Sequence, residues 1–219
     1  MRNYFKIVIY LVVVIGYSLA RAGSYDDFFM AVKQDDPRAV RFLLNRGFDP
    51  NTVDPQHLPG LYVALRDSSL KAAQALIDWP KTNVEMRTPE DESPLMMACL
   101  KGHIEMVKQL ISRDADVNKP GWTPLHYAAT GGHVAIIQLL LDQHAYIDAE
   151  SPNGTTPLMM AANYGTTAAV KVLLEAGADP MLRNQLGLTA IDFANRASRQ
   201  DAAQIIAASI RSAQPKGKW

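Results

Sequence analysis

A single cysteine among 219 residues excludes an internal disulfide, and without any Cys/His cluster there is no zinc site either. Neither sign of charge is in excess. With 22 basic and 22 acidic residues and a pI near 7.0, the basic footprint of a nucleic-acid-binding protein is missing. Glycine and proline, 13 of each, are too few for collagen or low-complexity disorder. The chain also lacks G-x-S-x-G, H-E-x-x-H, a phosphate-binding glycine loop and a dinucleotide fingerprint. These absences predict no catalytic residue, no metal, no cofactor, no small-molecule substrate and no nucleic-acid partner. What is present is apolar material, 48% of the chain against 20% charged, which suffices for a packed core.

The first 22 residues read as a leader rather than as part of the fold. Arg2 and Lys6 precede an uncharged run from Ile7 to Ala20. As a helix that run measures about 21 Å, short of the roughly 30 Å hydrocarbon core of a bilayer. Ala20-Arg21-Ala22 follows, the small-x-small pattern of a signal-peptidase site, and then Gly23, which is not the cysteine of a lipoprotein. The expectation is a signal peptide over 1–22, cleaved after Ala22, and an exported protein, periplasmic or secreted. An uncleaved N-terminal anchor is the alternative, and the leader would then be the chain's only contact with a membrane. Cleavage leaves 219 − 22 = 197 residues with 22 − 3 = 19 basic and 22 acidic side chains, a net charge of −3. Cys99 then has no partner in an oxidising compartment, so stability must come from packing.

Internal self-similarity is the strongest pattern in the chain. Thr123-Pro124-Leu125-His126-Tyr127-Ala128-Ala129 returns 33 residues later as Thr156-Pro157-Leu158-Met159-Met160-Ala161-Ala162, and 30 residues earlier as Ser93-Pro94-Leu95-Met96-Met97-Ala98-Cys99. Thr189-Ala190-Ile191-Asp192-Phe193-Ala194 is a further copy, and weaker ones start at Pro59 and Asp26. The starts at 26, 59, 93, 123, 156 and 189 are spaced 33, 34, 30, 33 and 33, with a second apolar-periodic stretch behind each. This resembles the ankyrin repeat, whose signature is T-P-L-H-x-A at a period near 33. The resemblance covers residues 26 to about 212. It implies an all-α solenoid of about six helix-turn-helix repeats with short hairpin fingers, a domain over 23–212, and a flexible tail over 213–219.

Each unit can also be read physically. Proline in the second motif position presets φ and gives up an N–H that the first helical turn leaves unpaired. Leu95, Leu125 and Leu158 are expected in the core with Ala98, Ala128 and Ala161, whose small side chains let neighbouring inner helices approach. Gly102, Gly132 and Gly165 are expected to end inner helices, and Gly47 and Gly177 outer ones. Asp-Pro and Asn-Gly pairs open the fingers. One helix pair cannot bury its own apolar face, so each repeat leans on the next. The step from repeat 3 to repeat 4 is three residues short, which predicts a stunted finger over 117–121. Repeat 2 has Trp79-Pro80 where a glycine would close its outer helix, which predicts an altered turn.

Residues able to do chemistry have structural explanations. His126 holds the motif's fourth position, where the resemblance implies a local hydrogen bond that ties repeats together. His103 and His133 precede outer helices; His57 and His144 lie in a finger and at a helix end. Cys99 replaces a core alanine, and the Met96-Met97 and Met159-Met160 pairs read as filler. What remains is surface. The resemblance implies a protein-binding groove made of fingers and the exposed side of inner helices. Transferred position by position, it names Arg66, Asp67, Glu90, Glu92, Lys101, Trp122, Asn153, Asn163 and Tyr164, with Thr155 and Leu188 at equivalent places before the motif. Trp122 is expected to face outward as the centre of the interface, with Lys119 on its polar rim. The function this implies is a non-enzymatic module that binds another protein, supporting an exported enzyme or neutralising a toxin. The alternatives are a structural envelope protein held at the membrane by its N-terminus, or an enzyme with a site on the repeat surface.

Overall fold

The computed structural model describes residues 23–213; the leader and the tail from 214 onward lie outside the described residues. Twelve helices occur among them, with no strand beyond one isolated bridge between Val53 and Pro59. Inner helices are α1 (23–33), α3 (Gly60–Arg66), α5 (Pro94–Lys101), α7 (Pro124–Gly131), α9 (Pro157–Asn163) and α11 (Ala190–Arg196). Outer helices are α2 (Pro37–Asn45), α4 (Leu70–Ile77), α6 (Ile104–Ser112), α8 (Val134–Asp142), α10 (Thr167–Glu175) and α12 (Gln200–Ala213). Six inner-outer pairs match the six sequence copies. The chain divides into two compact units, one ending at Asn83 and the other beginning at Val84.

In the first unit, Phe28 lies fully buried and stacks on Phe48 at 4.7 Å. Its ring explains why repeat 2 reads Pro59-Gly60 instead of Thr-Pro. A Cβ on Gly60 would stand 2.7 Å from Phe28, so only glycine fits at that helix start. Repeat 2 also departs at its other end. Asp78 caps α4 in the right-handed region, and no left-handed residue follows it, whereas Gly47 closes α2 at φ +89°. Trp79-Pro80 thus does alter the turn.

In the second unit the motif acts as expected at its helix starts. Pro94, Pro124 and Pro157 stand at the first helical position, and Leu95, Leu125 and Leu158 are fully buried with Ala98, Ala128 and Ala161. Outer helices bury one stripe, as in Ile136, Ile137 and Leu140 of α8, because only one side meets the inner layer. Gly102 and Gly132 close α5 and α7 at φ +77° and +70°. Gly165 differs: α9 is capped by Tyr164, and Gly165 has no left-handed backbone. Its glycine is required by space, since a Cβ there would lie 2.2 Å from the Ala129 carbonyl of the preceding repeat.

The unpaired carbonyls at inner-helix ends are closed from the following repeat. The His133 ring bonds the Leu100 carbonyl at 3.0 Å, the Thr166 hydroxyl donates to Gly132 at 3.1 Å, and the Arg199 guanidinium donates to Ala161 at 2.9 Å. Three different donors, 33 residues apart, do one job.

Candidate partner-binding face

The fourth motif position shows how a helix start is closed. In repeat 4 the Thr123 N–H donates to Nδ1 of His126 at 3.1 Å, so the ring proton sits on Nε2 and is donated to the Thr155 carbonyl at 2.8 Å. Burial pushes the imidazole down to about 4, with the Thr155 carbonyl opposing and the Lys119 charge reinforcing. The same cap N–H is received by the Met96 sulfur at 3.3 Å, the Met159 sulfur at 3.4 Å and the Asp192 carboxylate at 2.8 Å. In repeat 2 the cap is Pro59, which has no N–H to donate. Met96 and Met159 are therefore acceptors as well as filler.

Fingers are built from a buried polar residue five places before each cap. Asp54, Thr88, Ser151 and Asn184 are all buried. Their side chains accept backbone N–H groups of the finger, as Asn184 Oδ1 does from Leu186 and Leu188, each at 3.0 Å. Their own N–H donates across to the carbonyl before the cap: Leu58, Glu92, Thr155 and Leu188 respectively. The fourth finger residue then takes a left-handed turn, at His57, Asp91, Gly154 and Gly187.

The finger of repeat 4 is stunted, as expected, and lacks that ladder. Its place is taken by a side chain. The Lys119 ammonium donates to the Trp122 carbonyl at 3.2 Å and the Pro120 carbonyl at 3.1 Å, and pairs with Asp91 of the preceding finger at 2.6 Å. Lys119 is only 3% exposed, so it is an internal post and not the polar rim expected from the sequence. Asp91, bonded to both Lys119 and Arg87, is held below the usual carboxylate range by those contacts.

The other expected residues fall as follows. Trp122 is half-buried, its indole edge-on to the His126 ring at 5.2 Å, so it is less outward-facing than expected. Thr155 is buried and belongs to the fold, contrary to its expected exposure. Glu92 is half-buried and accepts the Tyr127 hydroxyl at 2.6 Å, which places Tyr127 on the finger side of α7. Glu90, Lys101 and Asn153 are exposed, the last with Oδ1 engaged by the Ser151 hydroxyl at 2.6 Å; Asn163 is half-buried and Tyr164 is 64% exposed. In the first unit Arg66 and Asp67 pair with each other at 2.7 Å at the end of α3. Sequence reasoning missed Leu186, at 77% the most exposed large apolar side chain among the described residues. Its signal was present: a leucine two places before the cap-preceding Leu188, beside a Gly turn.

Among the described residues no group of three or more His, Cys, Asp or Glu side chains is arranged to hold a metal, and no helix is long and apolar enough to cross a membrane. Cys99 is fully buried, which pushes its thiol far up.

This chain belongs to the ankyrin-repeat family: models of ankyrin repeats match residues 28–120, 61–151 and 143–194. It is 33% identical over 109 residues to the mouse ankyrin repeat and SAM domain-containing protein 6, a match covering 48% of this chain and 12% of that protein's length. The chain thus spans about an eighth of that relative. Among solved structures it resembles an ankyrin repeat domain from Acinetobacter baumannii, with a TM-score of 0.69 at 24% identity, over 83% of this chain and 96% of that one. It is also similar to a chain in the structure of a predatory endopeptidase from Bdellovibrio bacteriovorus in complex with an immunity protein. There the TM-score is 0.71 at 27% identity, over 83% of this chain and 97% of that one. Ankyrin repeats are protein-protein interaction modules, and the fold is the all-α ankyrin solenoid.

Proposed function

We propose that the protein is an exported, non-enzymatic module that grips another protein through its fingers and inner-helix face, supporting or neutralising an enzyme or toxin in the same compartment. The observation that carries this is a division of labour in the second unit. Residues that close helices and fingers, such as His126, Ser151 and Asn184, are buried, while Glu90 and Asn153, three places before their caps, and Lys101 and Tyr164, eight places after them, stand exposed at matching positions of repeats 3 and 5. Exposed aromatics at such positions suit interface anchors. In the first unit Arg66 and Asp67 hold the matching place. The similarity to a chain in an endopeptidase–immunity protein complex supports an enzyme as the partner. Ala20-Arg21-Ala22 behind a short apolar run supports export and cleavage after Ala22.

The test is photo-crosslinking in the exported fraction, with the crosslinker at Trp122, at Tyr164, and at Gln138 on the exposed side of an outer helix as control. A protein captured at the first two positions and absent from the third supports the groove. Equal capture at all three sinks it. Mass measurement of the mature N-terminus decides export separately: a chain beginning at Gly23 supports the cleaved form, and a membrane-held chain beginning at Met1 supports the envelope alternative.

A further inference from the structure

The face of the second unit carries mixed charge at repeat 3, an exposed carboxylate, Glu150, at the finger of repeat 5, and two arginines at repeat 6. Repeat 3 carries Glu90, Asp91 and Glu92 together with Arg87 and Lys101, and Asp91 is paired with Arg87 and Lys119. Repeats 4 and 5 present Trp122, Tyr127, Asn163 and Tyr164, none of them charged. Repeat 6 presents Arg183 and Arg196, both exposed, with Leu186 at the fingertip. Among the described residues neither arginine forms an ion pair; Arg183 donates to the Gly187 carbonyl at 2.7 Å. The nearby carboxylate, Asp192, accepts from the N–H and hydroxyl of Thr189, at 2.8 and 2.7 Å, and its charge also acts on both arginines.

Leu186 is held out rigidly. Asn184 Oδ1 receives the N–H groups on both sides of the turn, Gly187 takes φ +72°, and the Gln185 amide donates to the Pro152 carbonyl of the neighbouring finger at 2.8 Å. The Gln185 N–H donates to Asn153 at 3.0 Å. Covering Leu186 would therefore remove apolar area from water while ordering little that is not already ordered. Nothing in the fold requires leucine there, since the equivalent fingertip residues are Glu90 and Asn153.

We infer that the repeat-6 end of this face, with Leu186 at its tip and Arg183 and Arg196 beside it, docks a loop of the partner protein that carries an apolar side chain flanked by carboxylates. The inference rests on the proposal that the groove binds a protein, and it adds where and with what chemistry. Two exposed guanidinium groups with one carboxylate, Asp192, near both leave an excess of positive charge close to Leu186, which attracts an acidic loop.

A display library of random dodecapeptides, selected on the purified full chain, supplies the probe, with affinities of the enriched peptides measured by fluorescence anisotropy. The expected peptides place Asp or Glu next to a bulky apolar residue. They lose at least about tenfold in affinity to Leu186→Ser and to Arg196→Glu, and less than about twofold to Glu90→Lys. Selection repeated on Arg196→Glu should lose the acidic bias. Both substituted side chains are exposed, so thermal melts should match the parent chain and exclude unfolding as the cause. Peptides without acidic bias, or insensitive to Leu186→Ser and Arg196→Glu, overturn the inference. If such peptides are instead lost to Trp122→Ala, the groove still binds and only its repeat-6 placement falls. If no substitution on this face matters, or nothing is enriched, both the placement and the groove fall.

Discussion

His126 gives the sharpest physical test, because the chain supplies its own control. The ring is fully buried, accepts from the Thr123 N–H and donates to Thr155, and burial lowers its pKa to about 4. An unfolded histidine titrates near 6.5, so the unfolded chain takes up this proton first as pH falls. The contribution of neutral His126 is complete above about pH 6.5 and is lost progressively down to about pH 4, where both states are protonated. A shift of about 2.5 units at about 1.4 kcal/mol each gives a loss of about 3 kcal/mol across that window. Met96 and Met159 show that a thioether closes the same helix start, so His126→Met keeps the cap but loses the bond to Thr155 and the titration. At pH 7 the variant should be less stable by about 1–2 kcal/mol, the cost of a buried carbonyl left without its donor. The parent falls towards it as pH drops, and the two stabilities should cross at about pH 5–6. Urea melts at several pH values measure the difference, in which carboxylates such as Asp91 and Asp192 cancel. Ring NMR signals that titrate near 6.5 in the folded protein, or a difference that does not change with pH, would refute the reasoning.

Lys119→Met removes the donor that replaces the missing finger ladder, and should cost about 1.5–3 kcal/mol, read as a lower urea midpoint. Replacing 117–122 with residues 147–155 should restore the midpoint without a lysine, and an unchanged midpoint in Lys119→Met itself would mean the post is idle. Leu125→Ala should cost about 2–5 kcal/mol, since Leu125 is fully buried with a repeat on each side; no change would mean the helix register is wrong. Gly165→Ala should cost more than about 2 kcal/mol by driving a methyl group into the Ala129 carbonyl. Gly177→Ala, where the added Cβ meets open space and only the backbone at φ +100° objects, should cost about 1–2 kcal/mol; the reverse order in thermal melts would count against both readings.

The inner helices were legible because proline, leucine and alanine act there through local rules: a preset φ, an apolar position at helical spacing, a small side chain at a close approach. The fingers were less legible. Their closing residue is Asp54, Thr88, Ser151 or Asn184, four different side chains doing one job, so no repeated letter marks it; the constant is a short polar acceptor five places before each cap. Lys119 was misplaced on the rim because its burial follows from a missing backbone donor, which only a count of the finger's hydrogen bonds reveals. Gly165 carried the right letter for a different reason, space rather than φ. Trp122 was placed outward on the strength of its neighbours in sequence, while the ring of His126, one helical turn on, draws it partly inward.

This separation of closing residues from displayed ones predicts that a fingertip and its base respond oppositely to mutation. Asn184 is buried and its carbonyl oxygen receives two backbone N–H groups, while Leu186 between them is exposed. Asn184→Ala leaves both N–H groups without that acceptor and should cost about 1–2 kcal/mol, whereas Asn184→Asp, which keeps an oxygen in place, should recover most of it. Leu186→Asn, the residue carried at the same place by the finger of repeat 5, should move stability by less than about 0.5 kcal/mol. Hydrogen exchange at the Leu186 and Leu188 amides reads the same difference locally: faster in Asn184→Ala, unchanged in Leu186→Asn. Should Leu186→Asn destabilise the protein as much as Asn184→Ala does, the leucine is a packing residue after all, and the fingertip is not free to serve a partner.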